Sequence, residues 1–309
     1  MPIHKVRSLG KALKNATIGF VNDNAFKLSA SLSYYTVFAL GPLLVIIISL
    51  AGIFFGKEAV QGKVYGQLTQ LVGHESALQI QDIIINIQNS HASNTGAIVG
   101  AIILFIGATG VFTEMQDSIN YIWSVKAKPK KGWLKFIINR LLSFSLIVSM
   151  GFILLVSLIL SAILTLLSDR LMRLLPHYTL AFFEIVNTAI ILIVITTLFT
   201  VIFKLLPDAV IAWKDALMGA LLTAVLFLTG KFLIGYYIGR SNLGVTYGTA
   251  ASIIILLTWV YYSAMILYYG AEFTKMYALQ SGSGIKPKQT AVFIIKKESK
   301  EVPTSYLDT

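Results

Sequence analysis

The sequence predicts an all-α fold: a polytopic membrane protein built as a bundle of six transmembrane helices, with short amphipathic helices in its first external loop. Three observations carry that prediction. Of the 309 residues, 56% are hydrophobic and only 13% charged, and the mean hydropathy is +0.76, outside the range of soluble domains. Apolar windows close to the roughly 20 residues that cross a bilayer core fall at 32–55, 97–123, 136–167, 182–206, 215–239 and 248–276. These exceed the roughly ten-residue alternating strands of an outer-membrane barrel, so the backbone must satisfy its own hydrogen bonds as helices. Finally, the formal charge of +11 is unevenly placed. Lys5, Arg7, Lys11, Lys14 and Lys27 precede the first span; Lys126, Lys128, Lys130, Lys131 and Lys135 link the second and third; Lys275, Lys286, Lys288, Lys296, Lys297 and Lys300 follow the sixth. Basic residues gather on one side, which predicts a multi-pass membrane protein with both termini in the cytoplasm. Such runs orient helices and meet anionic lipid, so membrane lipids rather than nucleic acid are the expected partner.

In chain order, residues 1–28 form a basic cytoplasmic segment without the apolar core and small-residue cleavage site of a signal peptide. The transmembrane domain occupies 29–280. Its first span opens with "SASLSYYTVF" and contains Gly41–Pro42, where the missing amide predicts a kink. The external loop, 57–95, has Val60, Val64, Leu68 and Leu71, then Ile80, Ile83, Ile84 and Ile87, at helical spacing, which predicts two short amphipathic helices on the outer face. Tight links follow at 126–133, around "SDRLMRLLPHY", and at "KLLPDAVIAWK". Gly96/Gly100 and Gly235/Gly239 are small-residue pairs that mark close helix packing, within the chain or between copies in an oligomer. Residues 281–309 are rich in Gly, Ser and Lys without a long apolar run and predict a flexible cytoplasmic tail.

Polar residues inside apolar spans point to function. Ser29, Ser33, Tyr34 and Tyr35 sit at the cytoplasmic end of span one, Glu114, Asp117 and Asn120 at that end of span two, Arg140 at the entry of span three, and Tyr268 and Glu272 at the exit of span six. Glu114, Asp117 and Tyr121 share a helix face, as do Tyr261, Met265, Tyr268 and Glu272. Four helices thus carry polar groups at one depth, which predicts a cytoplasm-facing polar cavity. A second reading makes them helix-end ion pairs, Arg140 with Asp117 or Glu114 and Glu272 with Lys275. In the outer half Glu184 and Lys231 form a candidate pair, either an outer gate or structural glue.

Other chemistry is poorly supplied. There is no cysteine, and His4, His74, His91 and His177 are scattered, so neither a metal site nor a cofactor is expected. No phosphate-binding glycine loop or nucleophile–base set is present. The expected function is non-enzymatic: a passive or ion-coupled transporter of a small solute, or a lipid flippase, favoured by the intramembrane carboxylates, with a non-transporting envelope scaffold as the alternative.

Four ordered stretches resemble the YihY family, the BrkB-type bacterial inner-membrane proteins once labelled ribonuclease BN. They are "LSYYTVFALGPLLVIIISLAGIFFG", "SINYIWSV", "KLLPDAVIAWKDALMGA" and "YGTAASIIILLTWVYYSAMILYYGAEFTK", and the likeness runs from about residue 15 to 280. Tyr34, Tyr35, Pro42, Asn120, Trp123, Pro207, Gly219, Ala220, Tyr247, Gly248, Trp259, Gly270, Ala271 and Glu272 match the family pattern, while the small Gly41 departs from it. The resemblance implies six spans with cytoplasmic termini. It also implies a part in exporting or flipping an amphiphile, because the family is associated with serum resistance and some relatives with movement of lipid A precursors. The ribonuclease label has no support in the scattered histidines.

Overall fold

The structure, a computed structural model, describes residues 2–37, 110–128, 179–240, 251–281 and 283–296, with Gly62, Tyr65, Leu78, Gln81 and Ile85 as single helical positions in the 57–95 loop. The described elements are mostly helical. They are α1 (Pro2–Asn22), α2 (25–37), α3 (110–122), β1 (Val125–Ala127), α4 (Thr179–Leu205), β2 (Ala209–Val210), α5 (Trp213–Arg240), α6 (Ala251–Ser281), β3 (Lys286–Pro287) and β4 (Ala291–Phe293).

Two of these helices hold stretches long and apolar enough to cross a bilayer, Thr188–Leu205 and Trp213–Gly230. Only 22% of the first stretch is buried within the chain, so its apolar surface needs a non-aqueous neighbour. The observed α4, α5 and α6 overlap the apolar windows read at 182–206, 215–239 and 248–276. The spans read at 32–55 and 97–123 lie partly, and that at 136–167 wholly, outside the described residues, as does Pro42. Pro207 ends α4, and Asp215 sits in the first turn of α5, where a carboxylate suits the positive end of the helix.

Close crossing of α5 and α6 comes from a reciprocal fit. Thr223 of α5 donates to the Gly219 carbonyl (2.7 Å), and Thr274 of α6 donates to the Gly270 carbonyl (2.7 Å). Each threonine lies where the other helix has a glycine: a Cβ on Gly219 would overlap Thr274 Oγ1, and one on Gly270 would overlap Thr223 Oγ1. Ala216, Ala220, Ala224, Ala264 and Ala271 are buried, and such small residues let helix backbones approach.

The basic N-terminal segment is the amphipathic α1, continuous with the bundle. Ala12, Ala16 and Phe20, four residues apart, are buried, and Ala12 and Ala16 join Phe273, with Met276 and Tyr277 alongside. Hydrogen bonds between Ser8 and Gln280 (3.0 Å) and between Thr17 and Tyr269 (3.2 Å) run α1 antiparallel along the last turns of α6. Asn24, at φ 52°, ends α1 in the left-handed conformation that asparagine tolerates, and α2 starts at once. The break in the chain thus falls at Asp23–Asn24.

Residues 283–296 differ from the flexible tail the sequence predicts. β3 pairs antiparallel with β2 (Ala209 opposite Pro287), and β4 pairs antiparallel with β1 (Val125 opposite Phe293). Ser283 Oγ donates to Asp215 (2.5 Å), the Lys288 amide to the Asp208 carbonyl (2.9 Å), and the Ile294 amide to the Ser124 carbonyl (2.8 Å). The tail is therefore a strap across one end of the bundle, held by the links after α3 and α4. Two- and three-residue strands have no periodic signature, and their partners are distant in sequence. By hydrogen exchange, the amides of Lys128 and Ile294 should exchange at least tenfold slower than those of an unstructured peptide; exchange at the unstructured rate would leave the strap undocked.

Candidate functional site

The strap end of the bundle holds the most concentrated set of buried charge among the described residues. Glu272 in α6 is completely buried, and Asp23 is nearly so. Room for the Glu272 carboxylate comes from Gly19 of α1, whose added Cβ would stand 2.8 Å from Oε2 and 3.2 Å from Oε1. The carboxyls of Asp23 and Glu272 share the Lys275 ammonium and so sit close enough to interact. Two lysines answer them. Lys275 Nζ is 3.2 Å from Glu272 Oε2 and 3.5 Å from Asp23 Oδ2, and Lys296 Nζ, carried in by the strap, is 2.5 Å from Asp23 Oδ2. Glu272 Oε1 has no donor.

Helix ends build this constellation. α3 stops at 122, with Ser124 in the left-handed region (φ 56°), leaving the Ile122 carbonyl unclaimed by its own helix. Lys275 donates to that carbonyl at 2.7 Å, and Lys296 approaches it at 3.5 Å and the Tyr121 ring at 4.3 Å. Cations at the C-terminal end of a helix also answer its dipole. Trp123 Nε1 donates to the Ala271 carbonyl (3.0 Å), fixing α3 to α6 one residue before Glu272. Nearby, Asn120 and Asp208 bind reciprocally: Asn120 Nδ2 donates to Asp208 Oδ2 (3.0 Å) and the Asp208 amide to Asn120 Oδ1 (2.8 Å).

The titration of the groups outside the apolar spans follows from these contacts. Burial works to raise Asp23, but its hydrogen bonds with Glu272 and Lys296 and the charges of Lys275 and Lys296 outweigh that and hold it below its ordinary 3.8. Burial pulls Lys296 below the usual lysine range despite its bond to Asp23. It does the same to Lys288, where Asp208 opposes the shift and Lys204 adds to it.

Of the residues read from sequence as lining a polar cavity, the described ones differ in burial. Ser29 and Ser33 are buried, but their hydroxyls donate to the carbonyls of Ala25 (2.7 Å) and Ser29 (2.6 Å) one turn back, so these hydroxyls do not require water. Tyr34 and Tyr35 are exposed and meet edge to face, and the Tyr35 ring stands near Gly110. Glu114 is half-buried and Asp117 exposed. Asn120, Tyr268 and Glu272 are buried, and the Glu272–Lys275 bridge forms. Arg140 lies outside the described residues, as do the side chains of Glu184 and Lys231. The carboxyl beside Glu272 is thus Asp23, a residue the sequence reading did not single out. Its signal was the turn-forming "NDN" at 22–24 between two helical stretches. Lys296 entered only as tail charge, and Asp208 not at all.

Ala30, Ser33, Leu257, Thr258 and Tyr261 line an open groove of about 280 Å³ between α2 and α6. Among the described residues no three His, Cys, Asp or Glu side chains converge as metal ligands do.

The family model for virulence factor BrkB matches residues 17–293. The chain belongs to the virulence factor BrkB family. It is an integral membrane protein, in keeping with relatives that are themselves named membrane proteins. It is 26% identical over 273 residues to a UPF0761 membrane protein of Saccharophagus degradans, covering 88% of this chain and 61% of that one. It is 26% identical over 277 residues to UPF0761 membrane protein VV0203 of Vibrio vulnificus, covering 86% and 82%. It is also 28% identical over 257 residues to UPF0761 membrane protein PSPA7_4558 of Pseudomonas paraeruginosa, covering 82% and 59%. The chain thus spans about three-fifths of the length of the first and third of these relatives. No solved structure matches it. The BrkB match takes in Gly19, Asp23, Glu272, Lys275 and both strand pairs, while Lys296 lies beyond it.

Proposed function

We propose that this BrkB-family chain is an ion-coupled transporter, exporter or lipid flippase of the bacterial inner membrane, with both termini in the cytoplasm and no catalytic chemistry of its own. One observation carries the reading: Glu272, fully buried in a helix of the apolar bundle, has a carboxylate oxygen without a donor and faces Asp23. A charge in such a place costs at least a few kcal/mol, and ionisable groups there mark ion or substrate pathways. Two carboxyls in reach of one another can share a proton or take up a cation, and Lys275 and Lys296 give the proton-depleted state its counter-charge. Lys126, Lys128, Lys286, Lys288 and Lys296 gather at the strap end, which supports a cytoplasmic position for it. The open groove between α2 and α6 offers an amphiphile, such as a lipid, a lateral way in.

A scaffold reading draws on the same network, since a cluster tying the α1–α2 turn, α3, α6 and the strap also staples the fold. Flux decides between them. The purified chain, reconstituted into liposomes with a panel of labelled lipids and small solutes, should speed at least one flux over protein-free vesicles. Glu272→Gln should cut that flux at least tenfold, and Asp117→Asn, whose carboxyl is exposed, should keep it. Protein-free rates across the panel would leave the scaffold.

A further inference from the structure

The surroundings of Lys296 Nζ are those of a ligand-binding cradle. The ammonium is held by the Asp23 carboxylate (2.5 Å) and the Tyr121 ring (4.3 Å), with the Ile122 carbonyl, which also accepts from Lys275 at 2.7 Å, at the longer distance of 3.5 Å; Lys275 reaches the same Asp23 oxygen at 3.5 Å. A carboxylate, a backbone acceptor and an aromatic face are the three groups that recognise an alkylammonium. The Asp23 side chain is only 9% exposed, whereas that of Lys296 is 24% exposed, so the recess opens toward solvent on the lysine's side. Deeper in lies the fully buried Glu272, with Oε1 still lacking a donor. Lys296 lies three residues beyond β4, a three-residue strand whose pairing with β1 leaves Val292 and Phe293 exposed. So short a pairing can release without disturbing the helices.

We propose that Asp23, the Ile122 carbonyl and the Tyr121 ring form a binding site for a primary ammonium group, which the chain's own Lys296 occupies as a tethered ligand. Release of the strap vacates the site, and a free amine or an amine-bearing lipid headgroup takes the lysine's place. The tether makes the site selective by competition, because an entering amine must displace a partner held at high effective concentration.

The test uses the full-length Lys296→Met chain, which keeps an apolar stem but removes the ammonium. In detergent micelles, n-butylammonium should raise its Tm saturably, by about 3 °C at high occupancy, where n-butanol or sodium chloride at equal ionic strength does not. The rise should vanish when Asp23→Asn is added. The lipid source is separated in nanodiscs: stabilisation of Lys296→Met by phosphatidylethanolamine over phosphatidylcholine identifies a headgroup, and stabilisation by butylammonium alone identifies a soluble amine. Absence of both overturns the site, as does an equal effect in the Asp23→Asn background. Should Lys296→Met not fold, the unaltered chain serves. Butylammonium should then speed hydrogen exchange at the Ile294 amide severalfold by displacing the strap, and an unchanged rate overturns the proposal. None of these readouts requires transport, so the site and the transport reading fail separately.

Discussion

Gly270→Ala and Gly219→Ala will each destabilise the folded chain by about 3 kcal/mol, the upper end of the cost of overpacking a close-packed contact. Alanine normally favours a helix over glycine by about 1 kcal/mol, so propensity and packing oppose each other here, and packing wins. The new Cβ on Gly270 meets Thr223 Oγ1, with Thr223 Cβ at 3.0 Å and Phe203 Cζ at 3.1 Å behind it, and the Cβ on Gly219 meets Thr274 Oγ1 and its backbone. Neither partner can swing away without losing its own hydrogen bond to the helix. Gly10→Ala in α1, where nothing lies within 4 Å of the added carbon, is the comparison and should be neutral or stabilising. Reversible unfolding in mixed micelles measures all three. Adding Thr223→Ala to Gly270→Ala should recover at least a third of the loss, and strict additivity of the two changes would place the strain elsewhere.

Asp23→Ala will cost a comparable amount, about 3 kcal/mol, because removing one partner of a largely buried charge set leaves the others uncompensated. With Asp23 gone, Lys275 and Lys296 are left with the single carboxylate of Glu272. The pH dependence identifies the cause. Asp23 titrates below its ordinary 3.8 in the folded chain, so the folded state binds fewer protons than the unfolded one across that interval. Its contribution is complete above the unfolded value and is lost as the pH falls through the lower folded value. The acid limb of the stability curve should therefore be shallower in Asp23→Asn than in the unaltered chain. Limbs of equal slope would show that Asp23 titrates as a free carboxylate.

What could be read from the sequence was what repeats locally. The long apolar runs of α4, α5 and α6 announced helices, and the observed ends lie within a few residues of those read. Glu272, Asn120 and Trp123 stood out because each is a polar or interfacial residue in an apolar stretch, and all three prove buried. Asp23 and Lys296 could not be joined from the sequence. They lie at opposite ends of the chain, and their meeting depends on two left-handed helix stops and a three-residue strand pair, none of which leaves a periodic trace. The hydroxyls of 29–36 carry less information than their number suggests. A serine or threonine in a helix can satisfy itself on the carbonyl one turn back, as Ser29, Ser33 and Thr36 do, so a hydroxyl-rich stretch needs no water around it.

The strap also bears on biogenesis. Residues 283–296 leave the ribosome only after every described helix has been made, yet they carry Lys296 to Asp23, one of the first acids synthesised. Until then, Asp23 waits with Lys275 as its only lysine among the described contacts. Docking of the strap therefore closes an electrostatic contact that the earlier part of the described chain cannot complete alone. A chain released early, or one whose C-terminal fusion holds the strap away, would reach the bilayer with its helices formed and an acidic recess open, a form that a membrane protease could distinguish from the finished protein.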